Sequence, residues 1–307
     1  MVSAAHPKAT EAGLDILRRG GNAVDAAIAV QMVLNLVEPQ SSGIGGGGFM
    51  LFYKASTQEV LSYDGRETAP AEVTSDLFLT PEGEPMKFFD AVLGGRSVGV
   101  PGTVAMLAQA HKEHGEIPWA ELFEPAIKLA RDGFTVGHRL ASMLAGERAD
   151  RLKTFAETRE YYFPNGSPLT AGDIRTNYAF AETLIEIAQH GPEAFYRGAI
   201  AEDIVETIRH APYRSGLLAL SDLSEYQAIR RPPICHPYRI YRICGMGPPS
   251  SGALTVGQIL GLLEYYDLKS LGASNPISWH LIAEASKLAF ADRNRYYGRL
   301  RFRRSSY

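Results

Sequence analysis

The segment Ser41-Ser-Gly-Ile-Gly-Gly-Gly-Gly48 constrains this chain more than any other, because of what stands on either side of it. Before it, residues 23–37 read as a helix, capped by Asn22, with Asp25 at its third position and a stop at Glu38-Pro39. After it, Phe49-Met-Leu-Phe-Tyr53 is a continuous apolar run of strand length, and residues 59–63 follow at hairpin distance. Gly43 to Gly48 formally satisfies G-x-G-x-x-G, but a dinucleotide site needs the glycines after a strand and opening a helix. Here that order is reversed. No G-K-[ST] follows, which also removes a P-loop. Helix, glycine loop, strand and strand together predict an antiparallel pair lying under a helix. Two readings of the glycines stand: residues that permit positive φ and close backbone approach, or a backbone wall around a buried active site.

The remainder extends this pattern. Residues 9–19 read as a helix ended by Gly20-Gly21. Helical spacing recurs at 102–114, 119–132, 178–190 and 199–210, joined by Gly and Pro turns. Residues 232–244 offer two short strands about a His236-Pro237 turn, and helices return at 253–265 and 276–297. The expected class is α+β, with helices layered over antiparallel strands. No repeat or Gly/Ser linker divides the chain.

Length and charge exclude several functions. At 307 residues the chain can bury about 75% of the surface that its unfolded form exposes. A net charge of -3 gives no general attraction to nucleic acid or anionic membrane. Four of the arginines fall in residues 299–307, a basic tail on an otherwise acidic chain. The apolar run 23–37 contains Asp25, Gln31 and Asn35 and is shorter than the roughly 20 residues a membrane span needs. The first residues lack the pattern of a signal peptide, and localisation stays open. Cys235 and Cys244 form neither a disulfide framework nor a C-x-x-C site, so the redox compartment stays open too.

Candidate chemistry is sparse. His111 and His114 have a spacing that two ligands of one metal can use, but they flank Lys112 and Glu113 on a polar face with no third ligand near. We read them as surface residues. Ser250 and Ser251 read as caps of the helix that follows, not as nucleophiles, and no G-x-S-x-G elbow exists. Asp64-Gly-Arg-Glu-Thr-Ala-Pro70 places Arg66 where the second strand ends. Its guanidinium can offer a planar fork to the carboxylate of a small molecule, or pair internally with Asp64 or Glu67, and both readings stand.

Seven segments, in order, carry a resemblance that spans nearly the whole chain. They are Gly20-Gly-Asn-Ala-Val-Asp-Ala-Ala27, Ser42-Gly-Ile-Gly-Gly-Gly-Gly-Phe-Met50, Asp64-Gly-Arg-Glu-Thr-Ala-Pro70, Val100-Pro-Gly-Thr-Val104, Leu129-Ala-Arg-Asp-Gly-Phe134, Pro248-Pro-Ser-Ser-Gly252 and Ala291-Asp-Arg293. Together they resemble the large subunit of gamma-glutamyltransferase, or glutathione hydrolase. The resemblance implies part of an αββα four-layer N-terminal-nucleophile hydrolase sandwich, helix-rich here, with the small-subunit half missing. It implies a precursor that cuts itself, and a Thr at the new small-subunit N-terminus whose own α-amine activates its hydroxyl. A γ-glutamyl acyl-enzyme then forms and is resolved by water or by an amine acceptor, without metal or organic cofactor. Arg66 inherits the role of binding the α-carboxylate of the glutamyl group. The nucleophile and the oxyanion donors belong to the partner small subunit, so no catalytic residue is expected in this chain and it is expected to be inactive alone.

Residues 1–298 thus read as a large-subunit portion, one domain incomplete without its partner, and family sequence breaks off after Tyr297-Gly298. We read the tail 299–307 as a frameshift product: codons exist for it from which loss of one base after the Gly298 codon restores Gly-Asp-Ser-Asp-Phe-Val-Glu-Val-Pro. The rival reading is a patch for an anionic surface. Family members are often periplasmic or secreted. Without the small subunit, apolar faces such as Phe49, Leu51 and Tyr53 are expected to lie open. Two other functions remain: a cephalosporin or glutaryl acylase on the same scaffold, and a non-catalytic truncated product.

Overall fold

The computed structural model describes residues 1–297, so the tail at 299–307 lies outside the described residues. Two compact units form, one from Met1–Gly48 with Gly65–Ala228, the other from Phe49–Asp64 with the chain from Ile229 onward.

The chain opens with α1 (Pro7–Arg18), where Pro7 sits in the first turn and so forfeits no hydrogen bond. Next comes α2 (Ala23–Val37), apolar nearly all round and largely buried, the central helix of the first unit. Its start is a reciprocal cap: the Asn22 side chain accepts the Val24 and Asp25 N–H groups, and the Asp25 carboxylate accepts that of Asn22 at 2.9 Å. Asp25 is fully buried, yet it also accepts the N–H groups of Glu116 and Ile117 at 3.1 and 3.3 Å. Those donors are what make a buried carboxylate tolerable there.

Past the glycine segment, β1 (Gly48–Lys54) and β2 (Glu59–Gly65) form as expected. On β1 Leu51 and Tyr53 are 45% and 58% exposed, whereas Phe49 is half-buried. Helices α3 (Thr103–His114) and α4 (Glu124–Asp132) follow. The single helix expected over 119–132 is broken into a 3₁₀ turn, Trp119–Leu122, and α4, because Pro125 fits only a first helical turn. The pair β3 (Phe134–Thr135) and β4 (Ile174–Arg175) brackets a small core of Val136, Leu140, Leu144, Phe163 and Leu169. Then α5 (Tyr178–His190) packs on α4, and α6 (Ala199–Arg209) completes the long helices of this unit.

In the second unit β5 (Ile229–Arg231) joins the sheet in the order β1-β2-β5, antiparallel to β2 with Tyr63 opposite Arg230. The hairpin of β6 (Ile234–Tyr238) and β7 (Tyr241–Gly245) corrects the expected turn. His236 and Pro237 lie inside β6, and the chain reverses at Arg239-Ile240, with Arg239 at φ 56°. Proline is tolerated because both strands of a two-stranded sheet are edges. Cys235 and Cys244 face each other across this hairpin and are disulfide-bonded, which settles the pairing the sequence left open. The helices α7 (Gly252–Leu263) and α8 (Pro276–Asp292) pack together, and α8 passes into a π-helical turn, Arg293–Tyr297.

Candidate functional site

Three backbone segments of the first unit meet around Arg66, and glycines let them do so. The Gly46 carbonyl accepts the N–H groups of Gly102 and Thr103 at 2.9 and 3.1 Å, so the start of α3 is capped by the glycine loop instead of by a side chain. A Cβ on Gly47 would stand 2.5 Å from the Gly65 carbonyl oxygen and 2.8 Å from the Glu67 carboxylate. One on Gly102 would stand 2.1 Å from the Tyr226 hydroxyl and 2.2 Å from that same Gly65 oxygen. No larger residue fits either place without moving backbone. Of the two readings of the glycines, the structure shows the close backbone approach, at Gly47, and Arg66 lies one residue beyond the Gly65 carbonyl that Gly47 approaches.

The Arg66 backbone is held from two sides. Its carbonyl accepts the Tyr226 hydroxyl at 2.7 Å, and two residues on, Thr68 pairs with Val100, whose N–H donates to the Thr68 carbonyl at 2.8 Å. The Tyr226 ring stacks on Tyr196 at 5.9 Å between centroids, with the planes 5° apart. Tyr196 is anchored in turn: its hydroxyl donates to the Pro101 carbonyl at 2.9 Å and accepts the Ala105 N–H at 3.1 Å. Burial pushes the Tyr196 phenol far above its usual range, so it stays a neutral donor.

From this fixed backbone the Arg66 side chain reaches out 49% exposed, with Nη1 3.1 Å from Glu67 Oε2. Asp64, the other partner the sequence offered, is buried and accepts Arg231 Nε at 2.6 Å. The pairing with Glu67 is therefore real, and it is exposed. An exposed ion pair of this kind contributes about 0–1 kcal/mol. A carboxylate taken by both arms of the fork exceeds that.

The other candidates do not join this cradle. His111 is not a surface residue: Nε2 lies 2.8 Å from the Ile117 carbonyl and 3.8 Å from buried Asp25, which gives it a structural part beside the α2 cap. His114 stands 3.7 Å from Glu113. Among the described residues no group of three His, Cys, Asp or Glu is placed to hold a metal ion, and no helix is long and apolar enough to cross a membrane. Ser250 accepts the Gly252 N–H at 3.1 Å, as a capping hydroxyl does. Ser251 makes no such bond and instead accepts Arg293 Nε at 2.8 Å. Sequence reasoning missed Tyr226, Tyr196 and the fit at Gly102. Tyr226 lies 160 residues from the carbonyl it holds, and no local spacing signals such a contact.

Comparison with known proteins bears on this geometry. The family model described as gamma-glutamyltranspeptidase matches residues 9–306. The glutathione hydrolase proenzyme of Escherichia coli K12 is 39% identical over 298 residues, which is 97% of this chain and 50% of that protein. The chain thus spans about half the length of the curated relatives it matches. Among solved structures, the gamma-glutamyltranspeptidase of Helicobacter pylori superposes with a TM-score of 0.91 at 36% identity, over 96% of this chain and 83% of that one. A cephalosporin acylase from Bacillus halodurans superposes at 0.81 and 30% identity, over 94% and 52%.

Proposed function

The chain belongs to the gamma-glutamyltranspeptidase family, and from that premise we propose that it supplies the carboxylate-binding part of a γ-glutamyl transfer and hydrolysis site, with Arg66 gripping the α-carboxylate of the glutamyl group. Its fold is mixed helix and sheet, that of the N-terminal-nucleophile hydrolases. The observation that carries the reading is the posture of Arg66, a half-exposed fork on a backbone that Tyr226 and the glycine loop hold still. A guanidinium so placed can orient a substrate carboxylate by two parallel hydrogen bonds, which a lysine cannot reproduce.

The rest of the chemistry belongs to a companion segment. There a Thr hydroxyl, deprotonated by its own α-amine, attacks the γ-glutamyl carbonyl, and N–H donors stabilise the oxyanion. The amine leaves, and water or a second amine resolves the acyl-enzyme to give glutamate or a new γ-glutamyl compound. Glutathione is the expected donor. The part left to this chain is to fix the glutamyl end so that the scissile carbonyl meets the hydroxyl.

Arg66→Lys, made in the full precursor and assayed with γ-glutamyl p-nitroanilide, is expected to raise KM about tenfold or more, with kcat and self-cleavage little changed. An unchanged KM removes the assignment. The likeness to a cephalosporin acylase supports a second reading, in which the substrate is a glutaryl amide lacking the α-amine. Glutaryl p-nitroanilide cleaved faster than the γ-glutamyl compound would favour that reading.

A further inference from the structure

Elsewhere in the first unit a pair of arginines has no carboxylate partner among the described residues. Arg96 and Arg214 are half-buried on two loops that are tied together, the Arg96 N–H donating to the Arg214 carbonyl at 3.0 Å. A Cβ on Gly94 would stand 1.8 Å from the Tyr213 carbonyl oxygen, so the loops are pressed together backbone to backbone. Both guanidiniums turn to one sulfur: Nη1 of Arg96 lies 3.6 Å, and Nη1 of Arg214 3.4 Å, from Met86 Sδ. Their remaining partners are the Leu77 carbonyl and the Tyr213 hydroxyl, both neutral. Two cations held at most about 7 Å apart repel each other, and a thioether is too weak an acceptor to offset that.

These groups border an open cavity of about 1060 Å³, also lined by Leu77, Met86, Lys87 and Asp90. Its acidic residues leave the arginines uncompensated. Asp76 is engaged by the Thr74 hydroxyl, and among the described residues the side-chain hydrogen bonds of Arg96 and Arg214 go to Leu77, Met86 and Tyr213, not to Asp76 or Asp90. The lining carries three cations against two carboxylates. The cavity shares no lining residue with the Arg66 cradle.

We propose that this cavity binds a small organic anion, whose carboxylate or phosphate group sits between Arg96 and Arg214 and takes hydrogen bonds from both. A guanidinium pair on mutually bonded, closely packed segments is placed to share one oxyanion, and the volume leaves room for the body of the molecule. The proposal is independent of the role given to Arg66.

Titration calorimetry with inorganic phosphate and, separately, with glutarate tests it, using the chain together with its companion segment where that is needed to keep it dispersed. Saturable binding of either probe is expected, weakening as salt rises. Phosphate alone binding identifies a phosphate-bearing ligand, and glutarate alone a carboxylate-bearing one. Arg96→Gln and Arg214→Gln are each expected to weaken binding about tenfold, with Met86→Leu and Arg66→Ala within about twofold of the parent. Met86→Leu also reports whether the loops tolerate substitution, because it alters the same contact without removing charge. No saturable binding of either probe up to several millimolar overturns the proposal. So does binding that survives the double substitution Arg96→Gln, Arg214→Gln in the Arg66→Ala background, where the Arg66 cradle no longer offers glutarate a guanidinium, or that is lost in Arg66→Ala alone.

Discussion

In the proposed site, Arg66 and Tyr226 divide the binding of a carboxylate between side chain and backbone. The guanidinium is the part proposed to meet the substrate, and the phenol hydroxyl of Tyr226 holds the Arg66 carbonyl behind it at 2.7 Å. Tyr226→Phe removes that donor and leaves the stacking on Tyr196, so the expected cost is that of one hydrogen bond, about 0.5–1.5 kcal/mol. Because Tyr226 acts through Arg66, the loss belongs in KM: a rise of a few-fold for γ-glutamyl p-nitroanilide, with kcat nearly unchanged, is the expected result. An equal fall in kcat would instead place the phenol at the reacting bond. Arg66 is legible in the sequence because a charged fork directly after an apolar strand is unusual. Its anchor is not, because Tyr226 reads as any core aromatic until the fold brings residues 66 and 226 together.

Elements are legible where their ends carry local chemistry. The Asn22/Asp25 box marks the start of α2, Asn177 caps α5 through the Phe180 N–H, and both helices form as read. Expectation and structure part where a proline acts as a breaker or fails to. Pro125 restarts a helix that periodicity runs straight through, and Pro237 sits inside β6 while Arg239, a residue with no turn signature, takes the positive φ. The contact between the start of α3 and the glycine loop lives at this scale too. Gly102→Ala would drive a methyl into the Gly65 carbonyl and the Tyr226 hydroxyl, and a destabilisation of about 1–3 kcal/mol is expected from overpacking. Chemical denaturation of the companion-bound protein measures it; a loss under about 0.5 kcal/mol would mean that the three segments are less tightly joined than their spacing indicates.

Large apolar side chains stand open on the second unit, among them Leu51, Tyr53, Ile240, Tyr241, Tyr265 and Trp279. Isolated exposed residues are ordinary, but this many on one small unit are apolar area that a partner could cover. The chain spans about half of its curated relatives, and the companion segment is the proposed cover. Expressed without it, the chain is expected to bind a hydrophobic dye, to associate and to melt broadly; with it, dye binding should fall and the melt sharpen. A monodisperse lone chain with one sharp transition and no dye binding would count against this. The sheet itself adds a matter of timing. Residues Phe49–Asp64 leave the first unit to make a hairpin whose third strand, β5, arrives only about 165 residues later. At a ribosomal pace of about 5–20 residues per second, β2 waits roughly 10–30 s with one edge unpaired. During that interval the nascent hairpin has no mate of its own and is open to whatever chaperone, or misfolded neighbour, reaches it first.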